Sequence, residues 1–63
     1  MAQKLTGIYE EIKKVDGMRG QMRLAMLTGM PSTIAASAPD TPENILKFNN
    51  AYREIAGKEC PIK

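Results

Sequence analysis

The chain has 63 residues, 43% of them hydrophobic, and a formal net charge of +2. A chain of this length is one small domain that buries only about 60% of the surface its unfolded form exposes, which excludes a second domain and a deep substrate cleft. The lone cysteine, Cys60, excludes an intramolecular disulfide, and the lack of histidine removes a common ligand of zinc and of catalytic transition metals.

The apolar complement leans on small and flexible residues, with five methionines against one phenylalanine and two tyrosines. A small domain with so thin a core usually needs a staple, and without disulfide or metal the expected support is another chain. Lys4, Thr6, Glu10 and Glu11 interrupt the start of the chain, so no secretory signal is read there. No run approaches the ~20 apolar residues of a membrane span. A free thiol without a signal fits a reducing compartment, so the expected location is the cytoplasm.

In chain order, Leu5, Ile8, Ile12 and Val15 recur at spacings of 3, 4 and 3 and predict a helix over about residues 3–15 with one apolar face. Tyr9 flanks that face, and Glu10 can pair with Lys14 at i, i+4. Asp16-Gly17 is a stop signal, because glycine tolerates the left-handed conformation just past a helix end. A second helix is expected over about 18–28, closed by Gly29 and Pro31. It is apolar over most of its circumference, as a buried or paired helix is. Residues 31–38 read as a short helix or turn carrying Ile34 and Ala35, with Pro31 at its start and Pro39 beyond its end.

The third main helix, 42–56, has the clearest start: Thr41 as cap, Pro42 at the first helical position and Glu43 in the first turn. Ile45, Phe48, Tyr52 and Ile55 repeat the 3, 4, 3 spacing, Leu46 and Ala51 widen the stripe, and Gly57 is the stop. Glu43–Lys47 and Glu54–Lys58 are spaced as i, i+4 pairs. Residues 58–63 read as a short tail. No segment alternates with period two in a β-branched context, so no strand is predicted. The expected fold is all-α: three main helices and one short element in a small compact bundle, a single domain over residues 1–63.

Met18, Met22, Met26 and Met30 recur every four residues and form a stripe along the second helix. Methionine is flexible and polarizable and is over-used at adaptable partner surfaces. Core packing, across a subunit boundary or within the chain, is the favoured reading, and partner recognition is the second. Thioether binding of a soft ion such as Cu(I) is a third reading, but with no His or Cys in the stripe no metal or other cofactor is expected. Cys60 has no histidine to activate it, and Glu59 beside it favours the neutral thiol. Glu10 and Glu11 are sequence neighbours and cannot converge on one helix face. Gly17 and Gly20 form only G-x-x-G with no preceding strand, so they read as cap and turn rather than phosphate loop. Tyr9, Phe48 and Tyr52 sit on apolar stripes and read as core.

The run Gln21-Met22-Arg23-Leu24-Ala25-Met26-Leu27-Thr28-Gly29-Met30-Pro31-Ser32-Thr33-Ile34 resembles the helix-turn-helix of repressor-type regulators. Gln lies three before a Leu-Ala pair, Gly follows Ala by four, and Ser-Thr-Ile opens the segment where a recognition helix would lie. The resemblance implies DNA binding, with Arg19, Arg23, Lys13 and Lys14 on backbone phosphates. The Gly29 to Ile34 gap is one residue shorter than that pattern's spacing, and residues 32–38 hold no Lys, Arg, Asn or Gln to read base edges.

The first reading is therefore a non-catalytic helical interaction module, an accessory subunit or self-associating adaptor. Its partner-binding residues are Met18, Met22, Met26, Leu27 and Met30, with the Ile45–Ile55 stripe as a second apolar face. The expected partner is a protein or a second copy, with no membrane and no small-molecule substrate. A helix-turn-helix DNA-binding regulator is the alternative.

Overall fold

The computed structural model describes residues 3–63; Met1 and Ala2, which belong to the expected single domain, lie outside the described residues. Three helices form among these residues: α1 (Lys4–Thr28), α2 (Ser32–Ala35) and α3 (Pro42–Ala56). No strand is present among them, and the all-α expectation holds.

A straight helix of 25 residues would be about 37 Å long, yet the longest dimension of the whole fold is 25 Å. The difference is made at Gly17, whose backbone (φ 66°, ψ −152°) is not helical. That region is essentially restricted to glycine. The expected break therefore stands where the sequence places it, but helical hydrogen bonding resumes at once. The two anticipated helices become two arms of α1, residues 4–16 and 18–28, with no loop between them.

Arm 1 buries Leu5, Ile8, Tyr9 and Ile12, the face that its 3, 4 periodicity predicts. Val15, expected to complete that face, is exposed instead, because the chain turns at Gly17 before the stripe can continue. Gly20 fits closely at the bend: a Cβ there would lie 2.7 Å from Asp16 Cβ and 3.2 Å from Ile12 Cγ1. Tyr9 ties the arms together. Gln21 Nε2 donates to the Tyr9 carbonyl at 3.2 Å, and the Tyr9 hydroxyl donates to the Met30 carbonyl. The Tyr9 ring meets Phe48 of α3 edge to face, centroids 5.8 Å apart, a favoured aromatic geometry.

α3 starts and stops as its signals dictate. The Thr41 side-chain oxygen accepts from the Asn44 N–H at 3.2 Å, Pro42 takes the first helical position, and Gly57 caps the end in the left-handed conformation. Its stripe faces arm 1, with Phe48, Ala51 and Tyr52 buried and Ile45 and Ile55 half-buried against the same core. Leu46, expected to widen this stripe, is exposed. The expected i, i+4 pairs do not form; the ion pairs among the described residues are Lys14–Glu11 at 3.3 Å and Arg53–Glu59 at 3.7 Å.

Residues 58–63 are not a loose tail. Cys60 is fully buried in the core, Ile62 packs against it beside Gly7, and the Lys63 carbonyl accepts from Lys4 Nζ at 2.9 Å. The returning chain end covers the face between arm 1 and α3, which is how so short a sequence closes its core.

Candidate functional site

Arm 2 has two opposite faces. Gly20, Leu24 and Thr28 recur at four-residue spacing and are buried. Met18, Met22 and Met26 have the same spacing two positions earlier, about 200° around the helix, and so point away from the core. Their exposures are 73%, 67% and 83%. Leu27, on the edge toward α3, is 51% exposed. Met30 lies past the helix end, half-buried against the core, and its carbonyl holds the Tyr9 hydroxyl. Of the five expected partner-binding residues, the fold thus brings Met18, Met22, Met26 and Leu27 onto one exposed surface and turns Met30 inward.

The amphipathicity of arm 2 is inverted. Its buried side offers one large apolar side chain, Leu24, beside a glycine and a threonine whose hydroxyl donates to the Leu24 carbonyl at 2.7 Å. Its outer side offers three methionines. The plain reading of the stripe as intrachain core does not hold for Met18, Met22 and Met26. The second apolar face expected for partners, Ile45 to Ile55, is the reverse case: it is core, used to cover arm 1.

Beside the methionines, arm 2 and α3 enclose two adjoining concavities of about 230 and 200 Å³. Leu27, Lys47, Asn50, Ala51 and Glu54 line one, and Arg23, Met26, Leu27 and Glu54 the other. Sharing Leu27 and Glu54, they form a short groove with an apolar floor and charged walls. A larger open depression, about 710 Å³, lies between the start of α1, Ala36, Asp40 and Ile62. Its polar groups already hold the fold: Asp40 Oδ2 accepts from the Lys4 backbone N–H at 2.9 Å, and Lys4 Nζ binds the chain end.

Burial pushes the Cys60 thiol up, and a hydrogen bond from the Ile62 backbone only partly offsets it; a raised thiol is a poor nucleophile. Burial likewise raises Tyr9 and Tyr52. No three His, Cys, Asp or Glu side chains converge as metal ligands among the described residues. No helix among them is long and apolar enough to cross a membrane.

In the segment resembling a helix-turn-helix, only a short helix stands where a recognition helix would lie. After the Gly29 turn, α2 is one turn long, Ser32–Ala35, with Ala35 buried. At four residues, about 6 Å, it is far shorter than the helix such proteins lay in the major groove. No family model, curated protein or solved structure matches this chain.

Proposed function

We propose that this chain is a non-catalytic helical interaction module that binds a protein through the outer face of arm 2. The observation that carries the reading is the inversion of arm 2, with Met18, Met22 and Met26 exposed opposite a core side that holds one large apolar residue. Scattered exposed apolar residues are ordinary, but a contiguous stripe on one helix marks an interaction surface. Methionine suits the role because its unbranched thioether repacks against differing partners. The mechanism is burial of the stripe at about 25 cal/mol per Å² of apolar surface removed from water, less the cost of ordering the side chains.

The test is sedimentation of the whole chain over a range of concentration, combined with retention on a hydrophobic matrix. Either self-association or strong retention as a monomer is expected, and Met22→Lys with Met26→Lys should abolish it without unfolding the chain. A folded monomer that the matrix does not retain would sink the reading.

A further inference from the structure

The charges that border the methionine stripe narrow the choice of partner. Between Gly17 and Met30 the only charged residues are Arg19 and Arg23, each one position after a methionine and therefore along one edge of the stripe. Both are exposed, and neither forms an ion pair among the described residues. Arg23 lines the groove against α3, where Lys47 adds a third cation and Glu54 is the single acid, and Arg19 lies one turn before it on the same edge. The surface is thus an apolar strip with a basic border and a concave side.

A second copy paired antiparallel fits it poorly. Antiparallel pairing of two arm 2 helices about a dyad sets Arg19 and Arg23 of both copies on the same rim, four like charges together. A planar lipid surface would meet the methionines but not the groove. A helix with an apolar stripe and one acidic edge satisfies all three features, seating its apolar side chains on Met18, Met22 and Met26 and one of them over Leu27, with its carboxylates toward Arg19 and Arg23. This is the helix-in-groove mode of recognition.

We propose that the occupant of arm 2 is an acidic amphipathic helix of another protein, selected by Arg19 and Arg23. The proposal rests on the interaction reading above and adds the chemistry of the partner. The methionines supply most of the affinity, and the two arginines supply selectivity and association rate. Guanidinium groups suit carboxylates because their planar fork can bind both oxygens.

Two synthetic helical peptides test this, identical in a leucine stripe and differing only in an edge of Glu or of Lys. Fluorescence anisotropy with the full chain should show the Glu peptide bound at least about tenfold more tightly at low salt, the equivalent of about 1.4 kcal/mol. The preference should shrink toward unity as salt rises, and Arg19→Glu with Arg23→Glu should reverse it while circular dichroism stays unchanged. Met22→Lys should weaken both peptides. Equal binding of the two peptides would overturn the selection by charge and leave the apolar surface standing. Binding of neither peptide, with the hydrophobic matrix still retaining the chain, would overturn the helical occupant alone. Micromolar self-association insensitive to the arginine substitutions would assign the face to a second copy. Tighter binding to vesicles of phosphatidylserine and phosphatidylcholine than to the Glu peptide would assign it to a membrane surface.

Discussion

The two arms of α1 belong to one helix and are joined at one residue, yet they divide apolar surface in opposite ways. Arm 1 sends Leu5, Ile8, Tyr9 and Ile12 inward and Thr6, Glu10, Lys13 and Lys14 outward. Arm 2 sends Gly20, Leu24 and Thr28 inward and Met18, Met22 and Met26 outward. Arm 1 is a helix whose amphipathic face serves this chain. Arm 2 is tied to the fold by a close glycine contact, one leucine and the hydrogen bonds around Tyr9. Its larger apolar face is exposed. Apolar periodicity therefore identifies an apolar face, but not whether this chain's own fold buries it.

This contrast can be broken most sharply by truncation. Ile12→Ala on arm 1 should cost about 2–5 kcal/mol in urea unfolding, as large core deletions do, whereas Met22→Ala on arm 2 should stay within about 0.5 kcal/mol. A comparable loss at both positions would show that the methionines support the fold itself. Next in size is the joint. Gly17→Ala should cost about 1–3 kcal/mol, because alanine is strained at φ 66° and ψ −152°. Thermal unfolding followed by circular dichroism would report it, and an unchanged midpoint would mean the arms do not need this bend. Thr41→Ala, remote from both arms, should cost about 1 kcal/mol through loss of the α3 cap, and chemical denaturation of that variant sets the scale for a purely local effect.

The smallest effect is a pH dependence of the core as a whole. Cys60, Tyr9 and Tyr52 are all raised in the folded state by burial. A raised acid keeps its proton longer when folded, so its contribution is complete below the unfolded value and is lost as pH climbs toward the folded one. Stability should hold through neutral pH and decline above about pH 9, where the unfolded thiol begins to ionise, with the tyrosines following. Cys60→Ala should remove the earliest part of that decline. A denaturation midpoint flat between pH 8 and 10.5 would contradict the burial of all three.

Much of this molecule is set by local sequence. The bend at Gly17, the turn at Gly29, and the start of α3 at Thr41-Pro42 and its stop at Gly57 lie where residue types alone place them, because capping and left-handed backbone are decided within a few residues. The four-residue spacing of the methionines needs no more than the helix pitch. Tertiary structure decided the rest. It removed Val15 from the core by turning the chain away. It made the Ile45–Ile55 stripe the cover of arm 1, and it folded residues 58–63 back so that Cys60 became core. It also left Met18, Met22 and Met26 outside. Two apolar stripes of similar strength read alike in a sequence; which is enclosed depends on how many helices meet and on which side each approaches. Here α3 and the returning residues 58–63 fill the space around arm 1 and the inner side of arm 2, and no described element covers the outer face of arm 2.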